Sequence, residues 1–134
     1  MDTKLKSDIA ESAVTTELLK RGFRVLRPIG DRLPYDLCVD IGGVFCKIQV
    51  KLAWPRKGVY IVDNRRTRTN RRRMIRSSYK ADDFDFAILY IQDKNAFYIM
   101  PNSTFCRYGS EITLHSARRS RSALFHEAWN LLSR

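Results

Sequence analysis

Cysteine and histidine are scarce in this chain of 134 residues, with three of the first and two of the second. Cys38, Cys46 and Cys106 are odd in number, widely spaced and set among apolar neighbours. That argues against a disulfide-stapled secreted domain and for buried free thiols. His115 and His126 stand without any Cys-x-x-Cys pair, which argues against a structural zinc motif, and His126 reads as a surface or interface residue. No apolar run approaches the roughly 20 residues of a membrane helix, and the opening MDTKLKSDIAES lacks the apolar stretch of a secretory signal. The expectation is a soluble, cytoplasmic protein with no membrane partner. Acidic residues are also few, 14 against 25 Lys plus Arg, leaving a formal charge of +11. Such an excess favours a polyanion, and composition alone leaves DNA, RNA and an acidic lipid surface open.

With 44% apolar and 29% charged residues and no long Pro, Ser or Gln tract, the chain has the makings of a compact core. Its length suits one domain spanning residues 1–134. From Ser7 to Lys20, Ile9, Ala10, Ala13, Val14, Leu18 and Leu19 recur at three- and four-residue steps ahead of Gly22, which predicts an amphipathic helix with a glycine stop. Phe23 to Leu26 predicts a short strand, and Pro28, Gly30 and Pro34 enclose a loop. Tyr35 to Ile41 and Val44 to Leu52 flank Gly42-Gly43 and predict a tight hairpin. Val59 to Val62, the pair Phe86 to Ile91 and Ala96 to Met100, and Ile112 to Leu114 predict further strands, the last at an edge. Ser122 to Leu132 predicts a closing helix. The fold class is α/β, a mixed β-sheet flanked by helices.

Period-two alternation puts Asp36 on one polar strand face and Gln49 with Lys51 on another, facing across the hairpin. An acid, a second oxygen donor and a lysine at one sheet end suit a magnesium ion with a cation beside the scissile phosphate or water, and Glu11 on the first helix offers a further carboxylate. The same spacing also suits an ordinary ion pair between Asp36 and Lys51. Tyr35 and Trp54 border this place, either as packing or as stacking surfaces.

The order of Glu11 on a helix, Gly22-Phe23, a strand, Tyr35-Asp36, a hairpin and Gln49-Val50-Lys51 resembles the PD-(D/E)XK nuclease superfamily. The string from Glu11 to Lys51 is similar in particular to the small group I intron-associated homing endonucleases, with the likeness extending from about Ser7 to Leu114. The resemblance implies a restriction-endonuclease-like core and a site-specific endonuclease that hydrolyses DNA phosphodiesters with Mg2+ or Mn2+. It implies Asp36 as the metal ligand, Lys51 as the residue that positions or polarises water, and Glu11 as an accessory acid. Gln49 departs from the superfamily's Asp or Glu and removes one negative charge from the site, although several branches, the intron-associated one included, carry glutamine there.

DNRRTRTNRRRMIR places seven arginines between Asn64 and Arg76. Like charges so dense repel one another unless a polyanion relieves them. Arg65, Arg66, Arg68, Arg71, Arg72, Arg73 and Arg76, with Lys57 upstream, are the expected contacts to double-stranded DNA, either as a β-ribbon or as an ordered loop. Arg118, Arg119 and Arg121 form a second, weaker cluster. One chain supplies a single catalytic set, and two antiparallel strands are most simply cut by two, so the expectation is a homo-oligomer, a dimer at least, with a dimer of dimers as its extension. Leu124, Phe125, Trp129 and Leu132 are candidates for its interface or for the monomer core. The rival functions are a Holliday junction resolvase-like nuclease, which four-way junctions would reveal, and a non-catalytic basic nucleic-acid-binding protein, which would bind without cutting.

Overall fold

The computed structural model describes residues 2–69, 74–115 and 120–132. Helix α1, Thr3–Lys20, begins a turn earlier than the apolar spacing predicts, because the Asp2 carboxylate accepts from the Leu5 N–H at 2.8 Å and caps the helix. It ends where expected. Gly22, at φ +85°, turns the chain so that the Gly22 and Phe23 N–H groups close on the carbonyls of Leu19 and Leu18. Ala10, Val14 and Leu18, four residues apart, form its buried face, whereas Leu19 is exposed.

The strands that follow are β1 (Arg24–Leu26), β2 (Leu37–Ile41), β3 (Val44–Arg56), β4 (Val59–Asp63), β5 (Arg65–Thr69), β6 (Met74–Ser78), β7 (Phe86–Ile91), β8 (Ala96–Pro101) and β9 (Glu111–Leu114). A short helix, α2 (Asn102–Phe105), sits between β8 and β9. The organising element is β3. Its first half pairs antiparallel with β2, Ile48 to Ala53 pair in parallel with β7, and Trp54 to Arg56 pair antiparallel with β4, which carries β9 at its far edge. The parallel β3–β7 pair makes the sheet mixed, as expected. Gly42 and Gly43, both at positive φ, form the predicted hairpin turn, and the Asp40 carboxylate accepts from the Gly43 N–H at 2.8 Å.

Two apolar clusters cover the sheet. One joins Ala10, Val14 and Leu18 of α1 to Leu37, Val39, Ile48 and Val50. The other gathers Ala87, Leu89 and Met100 with the mutually edge-on rings of Tyr79, Phe84 and Phe105. The expectation of a polar face along β2 and β3 therefore needs correction, since Gln49 and Lys51 share their strand face with Ala87 and Leu89 and lie at the border of an aromatic layer.

The predicted closing helix over Ser122 to Leu132 is not formed. Two 3-10 turns, Ala123–Phe125 and Trp129–Leu132, stand in its place. Between them His126 is extended and bridges to Tyr98, and Glu127 sits at φ +52° with its N–H donating to the Phe97 carbonyl at 2.8 Å. The Glu127 carboxylate accepts from the Phe97 N–H at 3.1 Å and from Trp129 Nε1 at 2.8 Å. These bonds to β8 satisfy the backbone that a helix would otherwise satisfy locally. Trp129 and Leu132, 5% and 1% exposed, complete the monomer core, and Leu124, 83% exposed, does not.

Of the two forms open to the arginine run, the structure has the ribbon. β5 and β6 pair antiparallel from Arg65 opposite Ser78 to Thr69 opposite Met74, as a two-stranded sheet of their own. Arg68 and Arg76 lie on its strands. Arg71, Arg72 and Arg73 lie outside the described residues, as do Arg118 and Arg119.

Candidate active site

Asp36 extends the hairpin register by one step, which sets it across from Gln49: its N–H donates to the Ile48 carbonyl at 2.8 Å, one position before Leu37 pairs with Ile48. Its side chain turns back to the same strand, where Oδ2 accepts from the Val50 N–H at 2.8 Å. This bond exists because β2 ends at Leu37 while β3 continues, so the Val50 amide has no strand neighbour on that side and finds a carboxylate. Burial raises the Asp36 pKa above the usual carboxylate range, and the Val50 N–H and the nearby Lys51 only partly oppose it.

Glu11 reaches the same region from α1, which packs on β3. Its pKa is raised first by burial and then by the charge of Asp36, with Arg27 opposing. Arg27 is held nearby by Nη2 donating to Thr15 Oγ1 at 3.3 Å. Gln49 is 8% exposed, and its Nε2 donates to the Val50 carbonyl at 3.3 Å, which leaves the amide oxygen as the acceptor it can offer.

Lys51 Nζ donates to the Arg65 carbonyl at 3.0 Å and lies 5.2 Å from the centre of the Tyr79 ring. Burial lowers its pKa, against the charges of Asp63 and Asp36. Asp63, at the end of β4, is engaged by Arg65: Oδ1 accepts from the Arg65 N–H and Nε, each at 3.0 Å, and Oδ2 from Nη2 at 3.2 Å. Burial would raise the Asp63 pKa, but these bonds and Lys51 outweigh it and hold the carboxyl low.

Of the predicted quartet, Asp36 thus lies within electrostatic reach of both Glu11 and Lys51 and, by strand register, across from Gln49. A simple Asp36–Lys51 salt bridge does not form, since Lys51 donates to a carbonyl instead. Two carboxyls, each raised by burial and one by the other, together with an amide oxygen, are hard oxygen donors in a setting that a divalent cation would relieve. Among the described residues no three His, Cys, Asp or Glu side chains cluster as a metal site.

Two neighbours escaped the sequence reading. Asp63 and Tyr79 belong to no motif in the sequence. Tyr35 packs at the margin of the aromatic layer with Lys47 Nζ 5.8 Å from its ring centre, and Trp54 lies farther along β3, where β4 pairs with it. Among the expected DNA-binding residues, Arg65 is ion-paired to Asp63, Arg66 is half-buried, and Lys57 is exposed in the β3–β4 turn at φ +49°.

Against known proteins, the PD-(D/E)XK endonuclease family model matches residues 1–132. A solved structure described as that of a bacterial homing endonuclease, I-Ssp6803I, shares 48% identity with this chain, covering 98% of this chain and 93% of that one, with a TM-score of 0.87. A search of curated proteins finds no match. Among the described residues no helix is long and apolar enough to cross a membrane. With its ordered Glu11, Asp36, Gln49 and Lys51 and a family match spanning nearly its whole length, the chain belongs to the PD-(D/E)XK endonuclease family and is a nuclease.

Proposed function

We propose that this nuclease is a site-specific DNA endonuclease of the homing type, dependent on Mg2+ or Mn2+ and acting as a homo-oligomer on double-stranded DNA. The observation that carries this reading is the Asp36–Val50 bond, which fixes a half-buried carboxylate opposite Gln49 and beside Lys51 while Glu11 approaches from α1. The 48% identity to a homing endonuclease supports this reading over a junction resolvase.

Asp36, Gln49 and Glu11 would hold the cation. When bound, it supplies acidity to water and positive charge against the phosphate in the transition state. Lys51 adds a fixed donor aimed at a phosphate oxygen or the attacking water; a phosphate beside it offsets the desolvation that lowers its pKa. Arg66, Arg68, Arg71, Arg72, Arg73 and Arg76 on the ribbon segment, with Lys57, supply phosphate and base contacts, whereas Arg65 is engaged with Asp63.

The test is to digest a randomised duplex library with Mg2+, with Mn2+ and in EDTA, and to sequence the products. Metal-dependent cutting within one sequence is expected. Binding without any cutting, or faster cutting of four-way junctions than of every linear duplex, would overturn the proposal.

A further inference from the structure

The arginine-rich ribbon leaves the body of the protein at Asn64 and returns at Tyr79, and both of its legs touch Lys51. The first residue of the outgoing leg, Arg65, accepts from Lys51 Nζ at 3.0 Å through its carbonyl. The first residue after the returning leg, Tyr79, places its ring 5.2 Å from the same ammonium. The ring is itself wedged edge-on against Phe84 and Phe105, at 5.2 and 5.9 Å between centres.

The outgoing leg is fixed at its root as well. Asn64 is buried, with Nδ2 donating to the carbonyls of Phe105 and Tyr108, and the adjacent Arg65 side chain is clamped to Asp63. A long flexible lysine has little conformational preference of its own. Its ammonium is placed by whatever surrounds it, and two of its neighbours are the two feet of the ribbon.

We propose that Tyr79 is a positioning residue which, with the Arg65 carbonyl, couples the seating of DNA on the ribbon to the placement of the Lys51 ammonium. The inference rests on the reading of Lys51 and the ribbon given above and assigns the link between them. With the outgoing foot pinned through Asn64 and Asp63, duplex seated on the ribbon acts on the ammonium through the returning foot and the Tyr79 ring, and discrimination then shows in the cutting rate as well as in binding.

The experiment uses the full chain and a duplex selected by the wild-type enzyme from a randomised library. Affinity is measured in EDTA and single-turnover cutting at saturating enzyme with Mg2+. Tyr79→Leu is expected to slow cutting by about tenfold or more while affinity stays within about threefold. Tyr79→Phe, which keeps the ring, is expected to restore the rate. In a Lys51→Ala background, Tyr79→Leu is expected to add no further loss, since the residue through which the ring acts is gone. An equal slowing in both backgrounds makes the ring mere packing and overturns the proposal, as does a loss confined to affinity. Wild-type cutting by Lys51→Ala would instead sink the assignment of Lys51, whereas a slow Lys51→Ala with a wild-type Tyr79→Leu removes only the coupling. Should Tyr79→Leu fail to fold, the Lys51 ε-methylene proton resonances of the wild-type chain decide: ring-shifted upfield in the free protein and moved again by the selected duplex supports the coupling, and indifference to the duplex refutes it.

Discussion

Val50 donates its backbone N–H to the Asp36 carboxylate at 2.8 Å, so the residue offered as principal metal ligand is also the partner of an amide in the middle of β3. The two roles separate by substitution. Asp36→Asn keeps an acceptor for Val50 and removes the charge; Asp36→Ala removes both and exposes a buried amide to the cost of an unmet hydrogen bond. Both should slow cutting at least about a hundredfold with DNA affinity in EDTA little changed. Only the alanine variant should also lower the unfolding midpoint at neutral pH, and equal cutting by either variant and the wild type would place the metal elsewhere.

The raised pKa of Asp36 has a sign that calorimetry can read. Burial makes the folded chain hold this proton more tightly than the unfolded chain, so in EDTA stability falls as pH rises through the window from the ordinary value of 3.8 to the raised folded value. Above that window the charged carboxyl is a liability, and Glu11, raised in part by Asp36, adds to it. Asp36→Asn should therefore melt a few degrees higher than wild type at neutral pH without metal, with the advantage fading below the window. Added Mg2+ should raise the melting temperature of the wild type but not of Asp36→Asn. A variant less stable than wild type throughout contradicts the electrostatic account.

Lys51→Ala should cut about a hundredfold to a thousandfold more slowly while binding the selected duplex nearly as well. Equal losses in rate and affinity would make Lys51 a docking residue.

Gln49→Ala removes the amide oxygen and should impair cutting by about tenfold or more, since strand register puts it opposite Asp36. Gln49→Glu adds a third acid to a buried site and should retain activity only at higher Mg2+ concentration. A metal titration on both variants checks this, and unchanged cutting by Gln49→Ala demotes the residue to scaffolding.

Replacing Arg71, Arg72 and Arg73 together by alanine should weaken duplex binding and flatten the plot of log affinity against log salt by about 0.9 for each phosphate that is no longer neutralised. Where one of the three instead hydrogen-bonds a guanine, its removal should cost about 1–3 kcal/mol and relax preference at one position. An unchanged slope places the DNA surface elsewhere. Light scattering on the same preparations should give at least a dimer; a monomeric mass with and without DNA, and a nicked product, would contradict paired cutting.

The β2–β3 hairpin was readable because its determinants are local: two adjacent glycines for the turn and clean alternation on either side. Asp36, Gln49 and Lys51 were placed on it by counting, and Glu11 was offered by the helix pattern as a further carboxylate. What could not be read depends on the meeting of distant segments. Glu127 abandons a helical pattern because Phe97 and Trp129 offer better partners for its backbone and carboxylate. Tyr79 meets Lys51 only once β7 has brought the aromatic layer against β3. Trp129 and Leu132, apolar at helical spacing, look alike whether they meet another subunit or their own sheet.

The β5–β6 ribbon begins after Asn64 and ends before Tyr79, and it pairs with no strand of the seven-stranded sheet. Its length is therefore almost free to vary. Closing a loop costs only about 0.6 kcal/mol more for each doubling of its residues, so a ribbon lengthened by one cross-strand pair should leave the unfolding free energy of the chain nearly unchanged, as denaturant titration can check. The segment that carries the arginines can thus be lengthened, shortened or rewritten while the sheet behind it stays as it is, which makes the ribbon a part that can be replaced alone.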